Sequence, residues 1–207
     1  MTDPKERFHR SPTRIYCIAD TVALCEELLN AGARVIQLRN KSADDKTFRN
    51  IAMQMLARVR RFDDAVLIVN DRVDIAVEIH ADGIHVGQKD EDLRDVMRRV
   101  PGRMIVGVSA RYPDLAEAAA RIGATYVGTG AVFATSTKPE ATVIGLPGLR
   151  AVVERVTIPV VAIGGISVEN IRQVIAAGAR YCAVISEITH ASDVAAAYGR
   201  LASACSD

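Results

Sequence analysis

The chain has 207 residues, a hydrophobic fraction of 49% and a formal net charge of +1. That length holds one sizeable core, the hydrophobic content excludes a disordered chain, and the near-neutral balance leaves no electrostatic footprint for nucleic acid. No stretch has the length and apolarity of a membrane span, and the charged start Met1-Thr2-Asp3-Pro4-Lys5-Glu6 lacks an apolar signal core, so a cytoplasmic protein is expected.

Residues 1–13 read as a flexible polar arm and residues 14–207 as one domain. Beyond the arm one unit recurs: a short run of Val, Ile and Ala, a polar or glycine site, then an amphipathic stretch. In chain order, strands are expected at Arg14–Ala19, Arg34–Leu38, Ala65–Val69, Gly83–Val86, Met104–Val108, Tyr126–Thr129, Val160–Ile163 and Tyr181–Ile185. Helices are expected at Val22–Asn30, Asp44–Arg60, Glu91–Arg99, Pro113–Ile122, Leu146–Val156, Val168–Ala177 and Ser192–Ala204. Alternation of this kind means a parallel sheet whose strands are buried on both faces. Three near-copies, at Ala31 to Arg34, Ile122 to Thr125 and Ala177 to Arg180, each place a glycine at a helix C-terminus before a strand. Eight similar units favour an α/β fold of one (β/α)8 TIM barrel over a doubly wound open sheet.

Cys17 and Cys182 lie in strand-like runs, and the four cysteines, with Cys25 and Cys205, show no close-spaced ligand pattern, so small buried thiols are expected. His85 alternates into a strand and His80 ends a helix; structural roles are favoured for both. His9 and His190 read as surface residues, and Tyr16 as core or rim packing.

A barrel of this kind carries its active site at the C-terminal rim, in the strand-to-helix loops. Asp71 follows the third strand and Asp90 the fourth, so both carboxylates hang over one edge. With Asn70 and Gln88 beside them they suit Mg²⁺, which keeps waters and takes phosphate oxygens. Either acid alone is equally well explained as a helix N-cap. The second strand leads into Gln37-Leu38-Arg39-Asn40-Lys41, and the fifth ends at Ser109. Arg39 and Lys41 in isolation read as surface charges; facing two acids, they read as anion-binding. The long connection from Gly130 to Gly145 holds Thr135-Ser136-Thr137-Lys138, two hydroxyl types and an ammonium suited to phosphate. Gly164-Gly165 before a helix, with Ser186 after the last strand, matches the phosphate cup built after strands seven and eight. Little in the set looks like proton-transfer machinery.

Taken together in order and spacing, Gln37 to Lys41, Asn70-Asp71-Arg72, Ala81 to Asp90, Val106-Gly107-Val108-Ser109, Thr135 to Lys138, Ile163-Gly164-Gly165-Ile166 and Ile185-Ser186 resemble the thiamine phosphate synthase family, from about Arg14 to Ala202. The resemblance implies a transferase that joins hydroxymethylpyrimidine diphosphate to a thiazole phosphate or its carboxylate, giving thiamine phosphate and diphosphate. It implies Mg²⁺ on Asp71 and Asp90. It places the pyrimidine diphosphate on Gln37, Leu38, Arg39, Asn40, Lys41, Asn70, Ser109 and Lys138, and the thiazole phosphate on Thr135, Ser136, Thr137, Gly165, Ile185 and Ser186. Arg39, Lys41 and Lys138 would take up charge on the departing diphosphate, leaving a pyrimidine cation for the thiazole nitrogen to capture. Ala131 and Ala134 stand where the family usually has proline, and Asn40 where an acid is commoner.

The rival readings are a thiazole tautomerase, which would need proton-transfer groups, and a non-catalytic thiazole- or thiamine-phosphate binding protein. The paired acids and three cations favour the enzyme. Its expected partners are small-molecule substrates, with neither nucleic acid nor membrane, and the sequence is compatible with a homo-oligomer.

Overall fold

A computed structural model describes residues 2–88 and 90–205. Eight strands, β1 (Ile15–Ala19), β2 (Val35–Leu38), β3 (Val66–Asn70), β4 (Gly83–Val86), β5 (Ile105–Ser109), β6 (Tyr126–Gly130), β7 (Val160–Ile163) and β8 (Tyr181–Val184), pair in parallel and in sequential order. β8 pairs back onto β1, with Ile15 opposite Cys182, so the sheet is a closed barrel with no open edge. That closure excludes the doubly wound alternative. The helices are α1 (Pro4–His9), α2 (Val22–Asn30), α3 (Asp45–Val59), α4 (Val73–Glu78), α5 (Leu93–Arg99), α6 (Pro113–Ile122), α7 (Gly145–Arg155), α8 (Ile171–Ala176), α9 (Ser186–Thr189) and α10 (Val194–Ala204). Among the described residues no helix is long and apolar enough to cross a membrane.

Residues 1–13 are not a loose arm where they are described. Asp3 caps α1 by accepting from the Lys5 amide at 2.8 Å, and Pro4 opens the helix. Phe8 is fully buried, with its ring centroid 4.8 Å from Tyr181 and 5.1 Å from Tyr126. Beside it, Arg7 donates to the Ala65 carbonyl and forms a buried ion pair with Asp82 at 2.5 Å. Asp82 also accepts from the Leu67 amide at 2.9 Å. These partners lie at the N-terminal ends of β3, β4, β6 and β8, so α1 stoppers the bottom of the barrel. A single amphipathic turn is too short to announce itself by periodicity, which also hid α4 and α9.

The core has two layers. Between sheet and helices lie residues such as Cys17, Leu38, Leu67, Val69 and Val108, packed on Leu28, Phe48 and Leu149. Inside the barrel lie Tyr16, Ile18, Val35, Val66, Ile68, Ile105, Tyr126, Val161, Tyr181 and Ala183, closed below by Phe8. Successive residues of a strand face opposite sides. Val35 and Ile68 therefore face inward, while Ile36 and Leu67 face the helices. The same parity, continued upward, brings Gln37, Asn70, His85 and Ser109 to the top of the interior. Cys17, Cys25 and Cys182 are buried thiols, as expected, and Cys205 is partly covered.

Candidate active site

The two acids meet at the rim. β3 and β4 are neighbours, with Asn70 opposite His85. The Asp71 amide extends that ladder, donating to the His85 carbonyl at 2.9 Å. Asp71 then takes a left-handed φ of 64°, an uncommon conformation that Asp tolerates better than most residues. Neither acid caps a helix. α4 has no side-chain cap, and α5 is capped by Asp92, which accepts from the Arg94 amide at 2.8 Å. Asp90 instead accepts from the Gly87 amide at 2.7 Å, folding the loop after β4 back on itself. Lys89 of that loop lies outside the described residues.

Burial is the largest influence on Asp71 and pushes its carboxyl pKa up; the adjacent Asp90 carboxylate adds to the rise, and Lys41 opposes it. The Lys41 ammonium stands 3.6 Å from Asp71. A carboxylate held near a second carboxylate with one exposed lysine as relief is a site that gains from a cation. Among the described residues no three His, Cys, Asp or Glu side chains gather to form an all-protein metal cage. Mg²⁺ does not require one, since it is held by one or two carboxylates together with waters and phosphate oxygens. The donor set fits that ion.

The segment after β2 divides by parity. Gln37 is buried inside the barrel and donates to the Tyr16 hydroxyl at 2.9 Å. Leu38 is fully buried in the outer layer, so its side chain is withheld from the rim, and only its backbone is left for the role expected of it. The half-buried Arg39 has its amide bound to the Ala19 carbonyl at 2.9 Å. Asn40 turns inward on its own loop: its carbonyl oxygen accepts from Ser42 and Ala43 amides at 3.2 and 3.0 Å, and its amide donates to Asp20 at 3.3 Å. It shapes the loop that carries Lys41. Arg72 points away from the acids, pairing with Asp45 and lying 4.4 Å over the Phe48 ring, which pins the start of α3.

On the far side, the loop after β6 runs beside the end of β7. Val132 and Phe133 amides donate to Ile163 and Gly164 carbonyls, both at 2.9 Å. Gly164 and Gly165 have φ of 102° and 63°, and a Cβ on them would sit 2.7 Å from Ala131 and 2.8 Å from Phe133. Glycine is required there by both conformation and space. Asn170 accepts from the Ser167 amide at 2.9 Å and donates to the Gly165 carbonyl at 2.8 Å, bracing the turn. Thr135 is half-buried, while Ser136, Thr137 and Lys138 are exposed in the loop. Ile185 packs on the interior layer, and Ser186 begins the short α9 directly above β8. The structure thus groups Asp71, Asp90 and Lys41 on one side, and Gly165 with the loop bearing Thr135 on the other.

Parity reveals residues that motif reading passed over. His85, taken as structural, is bound by Ser109 at 3.0 Å and by the Tyr126 hydroxyl at 2.9 Å. Tyr126 in turn bonds Tyr16 at 2.7 Å. Desolvation holds the imidazole pKa down, at about 4, so the ring is neutral near pH 7. The available signal was the inward register of residues 16, 37, 85, 109 and 126, one on each of five strands, three of them (Gln37, His85 and Ser109) polar at the rim.

The family model described as thiamine monophosphate synthase matches residues 12–188 of this chain. The thiamine-phosphate synthase of Chloroflexus aurantiacus is 45% identical over 180 residues, covering 86% of this chain and 82% of that protein. That of Pyrococcus abyssi is 40% identical over 190 residues, covering 89% and 91%. Among solved structures, thiamine phosphate pyrophosphorylase from Pyrococcus furiosus superposes with a TM-score of 0.87 at 38% identity, covering 93% of this chain and 95% of that one.

Proposed function

The chain belongs to the thiamine monophosphate synthase family of transferases, and on that premise we propose that it joins hydroxymethylpyrimidine diphosphate to thiazole phosphate, releasing diphosphate. The observation that carries this reading is the meeting of Asp71, Asp90 and Lys41 at the rim, beside the polar tier of Gln37, Asn70 and Ser109. Mg²⁺ on the two acids would supply charge neutralisation for a diphosphate.

The chain's own residues do the rest. Lys41, beside Asp71, and Arg39, two residues before it after β2, would present cations to the diphosphate, and Lys138 would approach from the loop after β6. Fixed positive charge aimed at a leaving group lowers the barrier to its departure without reorganisation during the reaction. Gln37 and Asn70 line the floor where the pyrimidine ring would lie. The thiazole phosphate would sit against Gly165, Thr135 to Thr137, Ile185 and Ser186, at a glycine turn and a short extra helix, the usual phosphate position of a barrel. Holding both substrates in one rim contributes the orientation term. The thiazole nitrogen carries a lone pair and needs no base. That suits a site whose one histidine is neutral and bonded through both ring nitrogens.

The test is turnover of purified protein with both substrates and Mg²⁺, following diphosphate and thiamine phosphate. Asp71→Asn should lower kcat at least about a hundredfold while thiazole phosphate still binds, since it removes charge from the leaving-group side alone. Binding of both substrates by the wild type without any product would favour the binding-protein reading, and isomerisation of a thiazole carboxylate phosphate the tautomerase.

A further inference from the structure

Five interior residues from five strands form one hydrogen-bonded line under the rim. Gln37 (β2) donates through its amide nitrogen to the Tyr16 hydroxyl (β1) at 2.9 Å, which meets the Tyr126 hydroxyl (β6) at 2.7 Å. Tyr126 meets His85 Nδ1 (β4) at 2.9 Å, and His85 Nε2 meets Ser109 Oγ (β5) at 3.0 Å. Gln37, Tyr16 and Tyr126 are buried, and the His85 and Tyr126 rings stack at 5.5 Å. Two glycines make the line fit. A Cβ on Gly107 would collide with the Tyr126 ring, and one on Gly128 would reach 3.0 Å from His85.

Each hydroxyl has one proton, so the line has a direction. Tyr16 accepts from Gln37 and gives its proton to Tyr126. Tyr126, having accepted, gives its own to His85 Nδ1. The neutral imidazole then carries its proton on Nε2 and donates it to Ser109 Oγ. The Ser109 proton is left over and points out of the line. The reverse direction needs the Gln37 amide turned over and would aim the Ser109 proton back at His85.

We infer that Tyr16, Tyr126 and His85 are positioning residues that orient the protons at the two ends of this line, leaving the Gln37 carbonyl oxygen free as an acceptor and the Ser109 hydroxyl free as a donor. This rests on the pyrimidine diphosphate reading above and deepens it. An aminopyrimidine offers a donor amino group beside a ring-nitrogen acceptor, which an amide answers with its carbonyl oxygen and its second N–H, as glutamine answers adenine. A diphosphate offers only acceptors, which a hydroxyl free to donate answers. The direction set by the Gln37 amide nitrogen gives both ends the polarity this substrate needs, and the reverse gives both ends the wrong one.

Two measurements test it. In ¹⁵N-labelled wild-type protein near pH 7, long-range ¹H–¹⁵N correlation reads the His85 tautomer, the signals being assigned by their loss in His85→Gln. Nε2 should be the protonated nitrogen. An Nδ1–H tautomer or a doubly protonated ring overturns the inference whether or not the protein turns over thiamine precursors. Second, Tyr126→Phe should raise KM for the pyrimidine diphosphate by about threefold to tenfold, part of the worth of a hydrogen bond to a charged group. KM for thiazole phosphate should stay within about twofold, a split that general loss of packing would not produce. In a Ser109→Ala background the effect of Tyr126→Phe should shrink to the share carried by the Gln37 end; full additivity overturns the inference. A wild type that never turns over the pair, yet shows the Nε2–H tautomer, would refute the substrate reading and leave the direction of the line standing.

Discussion

Gly107→Ala isolates how much the interior depends on one missing side chain. Gly107 lies on β5 facing Tyr126, and an added Cβ would fall under 3.0 Å from three atoms of the phenol ring. The ring has no room to yield, since Tyr126 is fully buried, packed on Phe8 at 5.1 Å and on His85 at 5.5 Å. Overpacking of this kind costs about 1–3 kcal/mol. Moving the ring also breaks the hydroxyl's bonds to Tyr16 and His85, each worth about 1 kcal/mol net. The expected loss is therefore about 3–5 kcal/mol, a large part of the ~5–15 kcal/mol stability of a domain. Urea unfolding followed by circular dichroism reads it as a lower midpoint with an unchanged slope. Tyr126→Leu removes the obstructing atoms, so the double variant should be more stable than the sum of the singles by at least about 1 kcal/mol. A Gly107→Ala protein within about 0.5 kcal/mol of the wild type would refute the reasoning, because surface-like tolerance is incompatible with this packing.

Three further outcomes follow from other parts of the molecule. Asp82→Ala leaves the Arg7 guanidinium buried without its carboxylate and should cost about 3–5 kcal/mol in chemical denaturation, with Arg7→Met in the same chain recovering part of it. Phe8→Ala empties the floor of the barrel and should cost about 3–5 kcal/mol, measured the same way, whereas a truly loose arm would show no change. Because the folded His85 pKa lies near 4 and the unfolded one at 6.5, the unfolded chain binds more protons in that window. The His85 contribution to stability should be complete above pH 6.5 and be lost as pH drops toward 4, by at most about 3 kcal/mol, and the slope should be shallower in His85→Gln, where His9 still contributes.

Strand and helix alternation was legible because each unit repeats the same demand. A strand buried on both faces reads as an apolar run, and a helix on its outer surface reads as an amphipathic stretch, so β4, β7, α2 and α6 were located to the residue. The rim loops were legible as clusters of cations, hydroxyls and glycines, for the site chemistry sits in consecutive residues. What consecutive residues do not state is which way each one faces. Leu38 and Gln37 are neighbours in the chain, yet one packs under a helix and the other enters the barrel. Asp71 and Asp90 each satisfied the description of a helix cap, and only the positions of Arg72 and Asp92 show that the caps lie elsewhere.

By itself the sequence determined the eightfold repeat, the family motifs and the polar content of the strand ends, since those are local patterns written in hydrophobicity and residue type. The eightfold repeat favoured closure and the pairing of β8 onto β1 realises it, but the use of α1 as a floor and the line from Gln37 to Ser109 were decided by the tertiary structure alone. Each joins residues far apart in the chain, Phe8 to Tyr181 and Tyr16 to Tyr126 among them. Their contact follows from barrel curvature and strand parity acting together, and no window of sequence contains both.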